Sequence, residues 1–151
     1  MKVVHFSKSF FSLRPIEIKN GDGKDTLFIK PKGGLWCSPL DSNYGWKDWC
    51  QAENFGDIKQ QQRVIFDVDM SNFVVIDSTK DLETKLPWIP VVDGYFWAID
   101  FEKMVHEGVD GIHLTDKGQW DTRFTHPKSL YGWDCETIFI LNERCIKSVE
   151  T

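Results

Sequence analysis

Gly132-Trp133-Asp134-Cys135-Glu136-Thr137-Ile138-Phe139-Ile140-Leu141 is the stretch on which the reading of this chain turns. Side chains alternate across an extended strand. Asp134, Glu136, Ile138 and Ile140 then share one face, and Cys135, Thr137, Phe139 and Leu141 the other. From 138 to 141 both faces are apolar, the pattern of a central strand covered on two sides. Two carboxylates therefore stand at the mouth of a buried strand, beside Trp133. Carboxylates are seldom buried without a partner, so such a position suits a cleft or a cation. A strand that simply emerges into solvent before Ile138 would read the same way. A fixed carboxylate next to an aromatic wall suits an oxocarbenium-like sugar, as in cleavage of a glycosidic bond. The i, i+2 spacing sets the two carboxylates about 6–7 Å apart. That separation fits an inverting pair. It fits equally well one carboxylate that holds the sugar and another that orients an acceptor.

Outward from this strand the chain alternates short extended segments with turns. Val3 to Phe6, Thr26 to Ile29 and Gly34 to Ser38 read as strands, the second entered through Asn20-Gly21-Asp22-Gly23. Trp46 to Asn54 reads as a helix that starts near Ser42-Asn43 and stops at Gly56. Arg63 to Val68 and Phe73 to Ile76 are strands with Asp69 to Asn72 as the turn between them. Asp100 to Glu107 is a short helix ended by Gly108, Gly111 to Thr115 a strand, and Cys145 to Val149 the last strand. Many short strands with few, scattered helices imply an α+β fold with a largely antiparallel sheet. No repeat or linker divides residues 1–151, so a single domain is expected.

Composition narrows the classes. The net charge is 18 − 23 = −5. That balance argues against broad electrostatic binding of nucleic acid, while leaving room for a local basic groove. Apolar runs such as Phe73-Val74-Val75-Ile76 are four residues long, far short of the roughly 20 a membrane helix needs. The opening Met1-Lys2-Val3-Val4-His5-Phe6-Ser7-Lys8 has no hydrophobic leader pattern, so a cytoplasmic protein is expected. None of Cys37, Cys50, Cys135 and Cys145 forms C-x-x-C, and no His stands at finger-like spacing. No structural metal is therefore expected, and the thiols read as reduced. Seven Trp and eleven Phe serve either as a core of large rings or as a stacking platform for a sugar, a base or a nicotinamide ring.

Three segments together resemble the ADP-ribosyltransferases. Cys135-Glu136-Thr137-Ile138-Phe139-Ile140-Leu141-Asn142-Glu143-Arg144-Cys145-Ile146 is similar to that family's last motif, in which a catalytic Glu opens an apolar strand. Asp134-Cys135-Glu136 resembles its acid-x-Glu variant. Val4-His5-Phe6-Ser7 resembles the first motif, a strand that carries His with Ser two residues later. Gly34-Leu35-Trp36-Cys37-Ser38-Pro39 resembles the middle motif, an aromatic strand ending in small polar residues. The order His, aromatic-Ser, Glu spans residues 5 to 136.

The resemblance implies a split, mainly antiparallel sheet that holds NAD, as substrate, in a cleft. By similarity, His5 would bond the adenosine ribose and Ser7 would help position it. Trp36 would stack near the nicotinamide, with Ser38 close by. Glu136 would bind the nicotinamide ribose and stabilise the oxocarbenium, and Asp134 would orient the acceptor. Phe6 stands where many relatives carry a Gly whose backbone grips the carboxamide, so it too belongs to the implied NAD site. The middle motif has one Ser rather than Ser-Thr-Ser and lacks the usual Tyr. Lys30 and Lys32, just before it, could meet the pyrophosphate as point charges or simply flank a solvated loop.

Outside these motifs, His106 reads as a surface residue, His113 as a hydrogen-bonded core histidine and His126 as a loop residue. Trp46 and Trp49, three apart, share a helix face, a pattern more usual for core. The implied activity is mono-ADP-ribosyl transfer from NAD to a macromolecule, with the acidic charge tilting towards protein over RNA or DNA. A noncatalytic aromatic-rich module for sugar or nucleotide, and an NAD glycohydrolase, are the alternatives. No membrane partner is expected.

Overall fold

The computed structural model describes residues 1–21 and 30–151. In chain order its elements are β1 (Lys2–Ser7), β2 (Ile18–Lys19), β3 (Lys32–Gly33), β4 (Leu35–Pro39) and α1 (Trp46–Ala52). Then come β5 (Gln62–Val68), β6 (Phe73–Ile76), α2 (Thr79–Lys85), β7 (Trp88–Val91), β8 (Phe96–Ile99) and α3 (Phe101–His106). The last are β9 (Gly111–Leu114), α4 (Asp116–Thr122), β10 (Thr137–Ile140) and β11 (Ile146–Glu150). The expected strand Thr26 to Ile29, and half of the turn leading into it, lie outside the described residues.

Seven strands form one sheet in the order β11-β5-β1-β4-β10-β9-β6. Neighbours are antiparallel except β6 with β9, which run parallel. The architecture is therefore mixed α+β, with a mostly antiparallel sheet and a few short helices, as the pattern of short strands implied. β10 lies at the middle and is buried along its whole length.

The sheet curls. The turn expected at Asp69 to Asn72 is present, with Phe73 N donating to Met70 O at 3.2 Å. Yet β5 and β6, which it joins, are five places apart in the sheet. Five flat inter-strand steps would cover about 24 Å, whereas five Cα–Cα steps from Val68 to Phe73 reach about 19 Å at most. Only curling brings the ends within reach. The inside of the curl holds one apolar cluster, with Val3, Cys37, Val64, Phe66, Ile138, Ile140 and the ring of Phe73. The outer face carries a second cluster: Phe139, Ile112, Leu114 and Ile76 under Leu82 and Leu86 at α2 and Phe101 and Met104 of α3.

Several elements were not expected from sequence. α2 is capped by Ser78, whose Oγ accepts from Asp81 N at 3.1 Å. α4 is capped by Thr115, whose Oγ1 accepts from Gly118 N at 3.0 Å. Gly118 fits inside that helix because a Cβ there would run into the carbonyl of Ile76. β7 and β8 form a separate hairpin about Val92, Asp93 and Gly94, all at positive φ. α1 starts at Trp46 as expected, but its cap is Gly45 rather than Ser42-Asn43, with Gly45 N donating to Asp48 Oδ2, and it ends at Ala52, two residues before Asn54. Among the described residues no helix is long and apolar enough to cross a membrane.

Candidate functional site

Strand register assigns the candidate side chains to faces. Val4 pairs with Ser38, Phe6 with Arg63, and Trp36 with Phe139. Directly paired residues share a face, and alternate residues along a strand do too. Val4, Phe6, Trp36, Ser38 and Thr137 thus lie on the outer face. His5, Ser7, Cys37 and Ile138 lie on the inner one. The outer face is covered by helices at the β10–β9–β6 end and left open over β4 and β1. That opening is a cleft of about 250 Å³ lined by Val4, His5, Phe6, Lys30, Trp36, Cys37, Ser38, Trp46, Trp133, Cys135 and Thr137.

Three Trp form its walls. Trp36 stacks on Phe139 at 4.0 Å and meets Trp133 edge-on at 5.0 Å. Phe139 is fully buried and also touches Trp133 and Phe101. A bed of rings therefore fixes the Trp36 plane. Gly34, at φ +77°, allows this bed, because a Cβ there would collide with the Phe139 ring. Trp46 enters the wall from α1, stacked on Trp49 at 5.1 Å with Phe55 against both. The Trp pair read from sequence as core is thus partly open to the cleft. Ser38 Oγ accepts from Trp46 N at 2.8 Å and so docks α1 onto β4. The Lys30 ammonium lies 5.3 Å from the centroid of Trp36. Burial pushes its pKa down, against the charge of Asp134 nearby.

β1 and β4 pair only at Val3–Pro39 and Val4–Ser38. Beyond them His5 bridges the strands, its Nδ1 2.8 Å from Trp36 O. A carbonyl can only accept, so Nδ1 carries the hydrogen and Nε2 is the acceptor nitrogen. Burial holds the His5 pKa below its ordinary value, the bond to Trp36 opposing. Its ring turns inward to Phe11, 5.5 Å away, on the face opposite Trp36 and Ser38. Ser7 Oγ is taken up by Ser9 O at 2.7 Å.

Glu136 also lies away from the cleft lining. Its Oε1 accepts from Ser42 Oγ at 2.6 Å, and its Oε2 lies 3.0 Å from His113 Nε2. Both the Glu136 and the His113 side chains are largely buried, 14% and 13% exposed. Burial pushes the Glu136 pKa up, but the hydrogen bonds from His113 and Ser42 and the charge His113 carries when protonated push it down further. The net result lies below the ordinary carboxylate value, so this is an ionised carboxylate with built-in donors. The expectation of a hydrogen-bonded His113 matches its place here. Ser42, expected near a helix start, instead supplies one of those donors. Nothing in the sequence near 42 or 113 points to residue 136; the pairing of β9 with β10, which sets His113 opposite Ile138, and the return of the 40–45 loop over the mouth of β10, with Glu136 N donating to Tyr44 O at 3.1 Å, join them.

Asp134 does not share a strand face with Glu136. β10 begins at Thr137, and Asp134 ends a single 3-10 turn (Tyr131–Trp133) at φ +65°. The chain reverses there, so the alternation counted back from Ile138 fails at Asp134. Burial pushes its pKa up, with Lys30 and Arg123 opposing. Its electrostatic partners are Lys30 of the cleft, Arg123 and Glu53, not the Glu136 network. His106 is exposed, as expected, and the loop residue His126 is exposed as well.

Among the described residues no group of three or more His, Cys, Asp or Glu is placed to hold a metal ion. All four cysteines are free and buried. Burial raises the Cys135 and Cys145 thiols to about 12, far from a reactive thiolate. Comparison with protein-family models, with curated proteins and with solved structures gives no match.

Proposed function

We propose that the chain binds NAD in the Trp-walled cleft, cleaves its nicotinamide–ribose bond and transfers ADP-ribose to a macromolecule. The observation that carries this reading is one ionised, doubly bonded carboxylate, Glu136, set one hydrogen bond behind the edge of an aromatic cleft. Ser42, which lines the outer continuation of the cleft, donates to Glu136. Trp36 and Trp133 offer ring faces for the nicotinamide. A sugar at the level of Ser38 and Ser42 would develop positive charge as nicotinamide leaves. An anion held by two preset donors stabilises that charge without reorganisation. The nicotinamide departs with the electron pair of the broken bond, and the acceptor nucleophile closes on the anomeric carbon as its proton is lost. Asp134, at the cleft side near Lys30, would receive that proton or orient its donor.

A second reading has an observation of its own. Because Glu136 is not in the lining of the cleft, and His5 turns inward, the cleft also fits a binding module without catalysis. Incubation with NAD labelled in the nicotinamide and in the adenosine separates the readings. Transfer predicts released nicotinamide with label in macromolecules, and hydrolysis predicts released nicotinamide with free ADP-ribose. Saturable NAD binding without nicotinamide release would reject the enzyme.

A further inference from the structure

A second basin of about 290 Å³ continues the Trp-walled cleft, sharing Val4, Phe6, Ser38 and Trp46 with it. Its character is different. Ser42, Lys47, Asp48 and Arg63 replace the aromatic walls. Register places Arg63 directly beside Phe6 on the same face, so the guanidinium rises from β5 next to the ring that both basins share. Lys47 and Arg63 are exposed, and neither has an ion-pair partner among the described residues. The only carboxylate in this lining among the described residues, Asp48, accepts from Gly45 N at 2.9 Å. In a chain of net charge −5, two uncommitted cations at one end of an aromatic cleft are a local reversal of sign.

We infer that this second basin is a phosphate subsite, in which Arg63 and Lys47 hold the phosphate groups of a nucleotide whose ring lies among Trp36, Trp46 and Trp133. The inference rests on the nucleotide reading of the cleft and gives it a direction. The flat ring enters the apolar basin, the sugar crosses the shared wall at Ser38, and the anion ends on β5. A guanidinium suits this role because its fork of donors matches phosphate oxygens in pairs, while Lys47 adds a point charge. It also shifts the pyrophosphate away from Lys30 and Lys32, since Lys30 lies over the Trp36 ring at the other end of the cleft.

Calorimetric titration of the full chain with NAD, ADP and nicotinamide riboside tests it, in wild type and in Arg63→Gln, Lys47→Gln and the double variant. Both positions are exposed, so the variants keep the fold, which circular dichroism checks. The double variant should bind NAD and ADP at least tenfold more weakly and lose most of the salt dependence of that binding. Its affinity for nicotinamide riboside, which has no phosphate, should stay within twofold. Unchanged NAD and ADP affinity in the double variant overturns the subsite. So does an equal loss for nicotinamide riboside, which would mark a general disturbance of the cleft. Arg63-dependent binding of ADP without binding of NAD keeps the subsite and rejects the NAD reading. A wild type that binds neither NAD nor ADP overturns both.

Discussion

The two sides of β10 treat their functional groups in opposite ways. On the outer side, Trp36 and Trp133 stand at the edge of an open cleft, supported from below by Phe139. On the other side, Glu136 is tied to Ser42 and His113 and is nearly closed off. The difference follows from solvation. An aromatic face can border an opening at little cost, since it leaves no polar group unpaired. A carboxylate drawn out of water must have its oxygens bonded or give up its charge. Ring recognition and charge chemistry therefore rest on separate supports, and substitutions should break one without the other.

The largest effect falls on the element common to both sides. Phe139 is fully buried and carries the stack under Trp36. Phe139→Ala should cost about 3–5 kcal/mol of stability through lost burial and a residual cavity. Urea denaturation measures it. A loss under 1 kcal/mol would mean that the ring bed collapses to fill the gap and that the two sides are less coupled than the packing implies.

Glu136→Gln breaks the charged side alone. It keeps the shape and removes the anion, so nicotinamide release should fall by about 10²–10³. NAD affinity should change much less. Equal turnover in the two proteins would rule out Glu136 as the stabilising charge. Trp36→Leu breaks the aromatic side alone. One lost stacking face should weaken NAD binding by about 1–3 kcal/mol, read by calorimetry. Rate at saturating NAD should hold, and a fall in rate with unchanged affinity would reverse the assignment of the two sides.

The smallest effects are in the pH dependence of stability. The folded pKa of Glu136 lies below its ordinary 4.5, so the unfolded chain takes up that proton first on acidification. The stabilisation is complete above about pH 4.5 and is lost as pH falls through the folded value. His5, held below 6.5 by burial, acts with the same sign in a higher window. The unfolded chain charges His5 first, so stability falls as pH drops from 6.5 towards the folded value. Melting profiles from pH 7 to pH 3 should therefore lose slope below pH 4.5 in Glu136→Gln and below pH 6.5 in His5→Gln. A His5→Gln profile parallel to wild type between pH 7 and 5 would show that this imidazole does not change its environment on folding.

Sequence alone determined the central strand, since four apolar residues from Ile138 to Leu141 admit no exposed face. It also marked every other strand of the main sheet, the turn at Asp69 to Asn72 and the Trp-rich composition of the cleft. The missed elements had local signals. Ser78 with Asp81 is a cap pattern, and Asp93-Gly94 is a hairpin turn. What only the tertiary structure decided is which residues meet. The β5–β6 connection reads as a hairpin turn, but curling carries its strands to distant places in the sheet. Alternation along 134–141 predicts Asp134 beside Glu136, yet a single left-handed residue at 134 turns the two apart. Ser42, His113 and Glu136 are up to 94 positions apart in the chain, and a hydrogen bond has no sequence period. Short-range sterics and hydrophobic period are written locally, whereas the partner of a buried charge is set by whichever distant loop the sheet brings over it.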